Sequence, residues 1–353
     1  MIQTKIVKLD PQRPDQDLLR QAGNIVKNGG LVIIPTETVY GIAADGSNNQ
    51  ALEKLYRIKN RPREKLFSLH IFKKETMEDM CRDIPVSAYK LADKFWPGPL
   101  TMILKSKDGS TIGMRMPDND VALRVIALSA VPVVCPSANL SGKPAPVNFE
   151  DAIKDLNGLV DLAIDTGKAK LGSESSVVDL TNEGFKILRE GAVRKEDIES
   201  TINKKVVLFV CTGNSCRSVM AKALLEKKLK EIGRSDVEVL SAGIMLATGM
   251  GATQETRDVL LKEGMDVSAH RSQKISREML NRSDLILVME RVHEESVLRL
   301  CPQVKNRLFL LKEFANVKDT SLEIPDPIGK GLDYYQDTVY IIRGAVERIS
   351  KII

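Results

Sequence analysis

The stretch Val206–Ser218, VVLFVCTGNSCRS, decides how the second half of the chain folds. Val206 to Val210 are β-branched, aliphatic and aromatic, and read as a buried strand. A loop containing Gly213 follows, and the run from Ser218 to Lys230 has helix-forming composition. A strand ending in a loop that opens a helix aims several backbone N–H groups at one point, with the positive end of the helix behind them. Such a cradle suits a dianion. Arg217 adds a planar fork for phosphoryl oxygens, and Cys211 stands where these neighbours would favour thiolate over thiol, the form that attacks. The competing reading is a strand-end cysteine buried for packing alone.

Outward from the loop, the chain alternates. A strand is expected at Val237 to Ser241, a helix from about Thr253 to Glu263 closed by Gly264, a strand at Asp284 to Met289, a helix from about Arg291, and a terminal helix at Tyr334 to Ile353. This predicts a doubly wound parallel sheet, whose sites lie at the carboxyl ends of strands. The first half is less regular. A helix from Gln16 to Lys27 stops at Asn28-Gly29-Gly30 and leads into LVIIP and the loop TETVYG, with further strands expected around Phe67 to Phe72, Leu100 to Leu104, Val131 to Cys135 and Ser176 to Asp179. It reads as an α/β domain with a mixed sheet. The polar stretch Arg194 to Lys205 separates the halves, which gives an expected division into domains 1–200 and 204–353.

The chain has 353 residues, more than one core usually supports, and is 43% hydrophobic and 28% charged. No apolar run approaches membrane-spanning length and the N-terminal segment lacks a signal peptide's apolar stretch, so a cytoplasmic protein without a membrane partner is expected. Five scattered cysteines argue against a disulfide framework and lack metal-site spacing. The net charge of +5 divides into +1 before Thr201 and +4 after it, so neither half is a strongly basic nucleic-acid binder.

The Cys-five-residues-Arg spacing, with Gly213, Asn214, Ser218, the later SAG (Ser241 to Gly243) and DPIG (Asp326 to Gly329), resembles the low-molecular-weight protein tyrosine phosphatase family from about Lys204 onward. The resemblance implies catalytic roles. Cys211 attacks phosphorus, Arg217 holds phosphoryl oxygens, Ser218 donates to the thiolate and Asn214 braces the loop. Asp326 protonates the leaving group and then activates water, although Asp-Pro-Ile-Gly also suits a mere turn. Neither metal nor cofactor is required for this chemistry. Cys216 is open to two readings, a reversible disulfide with Cys211 or a filler of small space. Ile328 stands where tyrosine-directed relatives usually carry an aromatic. Ser215 stands where they commonly carry Ile and the phosphoarginine branch carries Thr. A phosphorylated protein is the implied partner, with phosphoarginine or phosphotyrosine as the side chain. Arsenate reductase, which shares the loop, needs further cysteines, and only Cys301 lies downstream.

In the first half SGKPAP fails as an ATP loop, because Ser137 and Pro144 occupy positions that need Gly and Ser or Thr. Instead PTETVYGIAAD, KNRPREKLFSLHI, FWPGPLTMIL, GMRMP, PSANLSGKPAP and SSVVDL with ILREG (Pro35 to Gly191) resemble the threonylcarbamoyl-adenylate synthase, or YrdC-like, family. That family makes threonylcarbamoyl-AMP and pyrophosphate from L-threonine, bicarbonate and ATP, for a separate transferase acting on tRNA. The resemblance assigns Lys59, Arg61 and Arg189 to phosphate charge, and Ser137 and Asn139 to directional hydrogen bonds. Lys65 and Thr111 join them at the nucleotide. Thr38, His70, Arg115 and Ser176 go to threonine. ATP is then a substrate, and Mg2+ rides on its phosphates. His70 also fits a satisfied core histidine, and Ser137 to Asn139 a plain turn. The rival for this half is a double-stranded RNA-binding module, and for the second half a redox-regulated phosphatase or the reductase.

Overall fold

The computed structural model describes residues 3–246 and 248–353, and the chain divides into two compact units, Met1–Thr201 and Ile202–Ile353. Met1 and Ile2, counted in the first domain from sequence, lie outside the described residues. Within the boundary stretch, Lys195–Asn203 is a helix with Ile198 and Thr201 buried.

The first unit is built on a mixed sheet of ten strands, in the order Lys5–Lys8, Leu162–Asp165, Val32–Ile34, Gly41–Asp45, Val133–Val134, Leu69–His70, Thr111–Arg115, Leu100–Lys105, Ser176–Asp179 and Lys186–Arg189. The helix Gln16–Lys27 forms as expected. Asp15 caps it, accepting from the Asp17 and Leu18 amides, and Leu18, Leu19, Ala22 and Val26 bury its apolar stripe in a core shared with Val121, Val125 and Ile126. The helix Asn49–Lys59 ends at Asn60, whose φ of 47° is left-handed. Asparagine is among the few residues other than glycine that tolerate this conformation at a helix end. Of the strands missing from the sequence reading, Lys5–Lys8 and Lys186–Arg189 are mostly exposed and without an apolar face, whereas Gly41–Asp45 and Leu162–Asp165 are buried.

The second unit is a parallel four-stranded sheet in the order Val237–Gly243, Lys205–Cys211, Leu285–Val288, Leu308–Leu310. Lys205–Cys211 lies in the middle, buried on both faces, as its unbroken apolar run requires. Val207, Phe209 and Cys211 face a core with the helices Arg217–Glu231 and Leu332–Ile349. Leu208 and Val210 face another, with Ile275, Leu280, Val297 and Val304. The strand Leu308–Leu310 was not expected; three residues carry too little pattern to be read. Among the described residues no helix is long and apolar enough to cross a membrane.

Candidate active sites

Cys211 is the last residue of its strand, and its Sγ lies 3.0 Å from Ser218 Oγ. Asn214 Nδ2 donates to Ser218 Oγ at 2.9 Å and to Ser241 Oγ at 3.0 Å, while its Oδ1 accepts from the Gln273 amide at 3.0 Å. With Ser218 Oγ accepting from Asn214, its hydroxyl proton is left to point at the sulfur. Asn214 itself takes a φ of 53° to turn the loop. The register places Gly243 opposite Cys211. A Cβ at Gly243 would come within 2.7 Å of Thr212 O and 2.9 Å of the Asn214 nitrogen, so the loop rests on a spot only glycine leaves open.

Arg217 is 1% exposed and its guanidinium is spread over four partners. Nη1 donates to the Glu290 carboxylate and, at 2.8 Å, to Ile324 O; Nη2 donates to the Asp326 carboxylate and, at 3.0 Å, to Thr212 Oγ1. Its Nε is buried without a partner among the described residues, a donor free for an anion. Asp326 Oδ1 accepts from the Ile328 amide at 3.2 Å, so Asp-Pro-Ile-Gly is a turn and at the same time reaches Arg217. Ile328 beside it is 54% exposed. The Cys216 thiol faces hydroxyls, Ser215 Oγ at 3.6 Å, Thr253 Oγ1 at 3.5 Å and Tyr335 Oη at 3.8 Å, and all five cysteines are free.

Three residues here were missed from sequence: Thr212, Glu290 and His293. His293 is fully buried, its Nδ1 accepting from the Glu290 amide at 3.0 Å and its Nε2 lying 2.9 Å from Thr212 Oγ1. Burial, with the Arg217 charge adding, pushes its pKa down to about 4, so the ring is neutral. Glu290 and His293 follow the carboxyl end of the strand Leu285–Val288, where sites gather in such sheets, and that was the available signal.

In the first unit a cavity of about 300 Å³ is lined by Arg61, His70, Arg115, Ser137 and Arg189 among the expected residues. Lys59 lies behind Ser137, 2% exposed, donating to Ser137 O at 2.6 Å, Ser137 Oγ at 3.3 Å and Asn139 Oδ1 at 2.8 Å. Ser137 to Asn139 is therefore a turn that a buried ammonium holds. Burial lowers the Lys59 pKa to about 8, with the Arg61 charge adding. Arg61 donates to Lys65 O at 2.8 Å and Leu66 O at 3.1 Å and sits 5.1 Å from the Phe67 ring centroid, a cation–π contact.

Across the cavity Arg115 Nη2 donates to Glu37 Oε1 at 2.7 Å and Thr38 Oγ1 at 2.8 Å. His70 is buried and its pKa falls to about 3, from burial and then the Arg115 charge, so it offers a neutral imidazole to the cavity.

Three expectations need correction. The Ser176 hydroxyl donates to Val193 O at 2.6 Å and accepts from the Gly191 and Val193 amides at 2.9 and 3.0 Å; it closes a turn and has nothing left for a ligand. Its neighbour Ser175 lines the cavity, held by Arg189. Thr111 is exposed at the far end of the strand Thr111–Arg115, about 13 Å from Arg115 by strand rise. Lys65 is exposed and outside the lining, contributing only its carbonyl to Arg61. Glu174, unforeseen, lines the cavity and pairs with Arg189 at 2.8 Å. Among the described residues no group of three or more His, Cys, Asp and Glu is arranged to hold a metal.

The family model described as Telomere recombination (Sua5, YciO and YrdC) matches residues 24–191, and that described as Low molecular weight phosphotyrosine protein phosphatase matches 206–353. A putative threonylcarbamoyl-AMP synthase of Methanocaldococcus jannaschii is 37% identical, over 48% of this chain and 83% of its own length. A protein-arginine-phosphatase of Geobacillus stearothermophilus is 35% identical, over 41% of this chain and 93% of its own length. Longer synthase relatives are matched over only 59%, 57% and 55% of their length, so the chain spans somewhat over half of each. In fold it is similar to the crystal structure of Pyrococcus abyssi Sua5 complexed with L-threonine, with a TM-score of 0.54 and 24% identity over 97% of this chain and 98% of that one. The first part of this chain belongs to the Sua5, YciO and YrdC family and the second part to the low-molecular-weight phosphotyrosine protein phosphatase family.

Proposed function

We propose that the chain is a bifunctional enzyme. The first unit joins L-threonine, bicarbonate and ATP into threonylcarbamoyl-AMP with release of pyrophosphate. A separate transferase then passes the threonylcarbamoyl group to tRNA. One observation carries this reading: a single cavity is lined by Arg61, Arg189 and Ser137 together with the neutral His70 and Arg115. Two anions, a carbamate and a triphosphate, must meet, and cations in a partly dry pocket make that tolerable. Arg61 and Arg189 take phosphate charge, and Lys59 and Asn139 hold Ser137 in place for the nucleotide. Arg115, backed by Glu37 and Thr38 outside the lining, takes the threonine carboxylate, and the neutral His70 lies beside it. Mg2+ arrives on the ATP phosphates, since the lining supplies one carboxylate, Glu174. Pyrophosphate release that requires both threonine and bicarbonate tests this; RNA binding without that turnover would favour the RNA-module reading.

The second unit hydrolyses phosphorylated protein side chains through a phosphocysteine. What carries it is Arg217 with Nε free beside the Cys211–Ser218 pair. A phosphoryl group bound through Nε and Nη2 releases Asp326 from Nη2. Asp326, having taken up a proton from solvent, gives it to the leaving group, and as carboxylate it draws a proton from the water that hydrolyses the phosphocysteine. Phosphoarginine is favoured over phosphotyrosine, because Ser215 puts a hydroxyl in the loop, Ile328 offers no ring to stack, and the phosphatase relative at 35% identity is named for arginine. Hydrolysis of the two substrates should be compared with Ser215→Ile and Cys211→Ser as controls. Strong preference for phosphotyrosine, unmoved by Ser215→Ile, would sink the specificity reading.

A further inference from the structure

We propose that His293 is a positioning residue for phosphoryl transfer, bracing both halves of the Arg217 guanidinium from behind. The inference rests on the reading of Cys211 as a phosphatase nucleophile. In this structure Arg217 Nη2 contacts Asp326 and Thr212. Acid catalysis needs Asp326 at the leaving group, so its contact with Nη2 must be given up during the reaction. Thr212 Oγ1 is then the contact that keeps Nη2 in the plane of the fork.

What fixes the Thr212 hydroxyl is the imidazole. His293 Nδ1 accepts from the Glu290 amide, so a neutral ring carries its proton on Nε2 and donates it to Thr212 Oγ1. Thr212 Oγ1 accordingly accepts from His293 and from Arg217 at once, which uses both lone pairs and sets its rotamer. The same ring anchors the backbone of Glu290, whose carboxylate holds Nη1. The capping box between Glu290 and His293 at the head of Arg291–Leu300 locks this pair into the helix start. One buried ring therefore tethers Nη1 through Glu290 and Nη2 through Thr212. A guanidinium loosened by a fraction of an ångström loses its in-line grip on the transferring group, and misplacement of that size costs up to about 100-fold in rate.

The test uses the full chain and four variants: His293→Leu, His293→Gln, Thr212→Val, and the double Thr212→Val with His293→Leu. The readouts are the affinity for inorganic phosphate by calorimetry, and kcat and KM on para-nitrophenyl phosphate. We expect His293→Leu to lower kcat/KM about 10- to 100-fold and to weaken phosphate binding several-fold. His293→Gln, which keeps a donor for Thr212, should recover most of this. The double variant should be no more than about threefold worse than the worse single, because Thr212→Val removes a tether that His293→Leu has already cut. Full multiplicativity, or wild-type phosphate affinity and kcat/KM in His293→Leu, would overturn the proposal. If His293→Leu does not fold, Thr212→Val decides: unchanged phosphate affinity and kcat/KM in it overturns the proposal equally. A wild-type chain that neither binds phosphate nor turns over the ester removes the phosphatase reading itself. Active wild type with indifferent variants removes only the role of His293.

Discussion

The Cys211 site draws its nucleophile, cradle and fork from consecutive residues between Cys211 and Ser218, whereas the cavity around Ser137 is assembled from stretches spread between Thr36 and Arg189. They also balance charge differently. Arg217 is already paired with both Glu290 and Asp326, so an incoming phosphoryl group exchanges with a carboxylate. The cavity is lined by three arginines and one carboxylate, with Lys59 behind Ser137, where burial and then the Arg61 charge push its pKa down. A contiguous loop depends on local backbone geometry, and a dispersed cavity on sheet register.

The largest effect that separates the two sites is expected from Cys211→Ser. Phosphate release from a phosphoprotein or ester should fall by at least about 10⁴-fold while pyrophosphate release from ATP stays at the wild-type rate. Loss of both would show that the sites are not independent. Arg217→Lys should cost about 10²- to 10³-fold in kcat for the ester, since a point charge cannot hold two oxygens as the fork does. In the cavity, Arg115→Lys should raise KM for threonine about 10- to 100-fold with little change in KM for ATP, measured by pyrophosphate release. Equal rises in both would refute the assignment of Arg115 to threonine.

The smallest effect concerns pH. Lys59 titrates at about 8 in the folded chain, below the ordinary lysine value, so its positive charge is present below that pH and lost above it. KM for ATP should therefore rise a few-fold as pH passes from about 7 to 9. The linkage has the opposite sign for stability: between the folded and unfolded values the unfolded chain binds more protons, so this residue's contribution to stability grows with rising pH over that window. A denaturant midpoint that falls over the same interval in wild type but not in Lys59→Met would contradict the assignment.

Much of the loop was legible because its parts follow one another. Strand, turn and helix start are local matters, and Cys211, Asn214, Arg217 and Ser218 meet through backbone geometry alone. Two of the errors concern side-chain direction and position at a strand. Ser175 and Ser176 are adjacent, and successive side chains on extended chain point to opposite faces, so one lines the cavity while the other closes a turn. Thr111 and Arg115 share a strand but occupy its two ends, a distinction that a motif match does not draw.

By itself the sequence determined that an apolar strand ends in a thiol, that an arginine fork stands at the head of the next helix, and that two domains follow one another. These depend on neighbours within a few residues. Only the tertiary structure decided that Glu290, His293 and Asp326 converge on Arg217, that Lys59 stands behind Ser137 rather than in the cavity, and that Ser175 is the serine facing it. Those outcomes depend on strand order, register and helix placement, which pairings far apart in the chain set together.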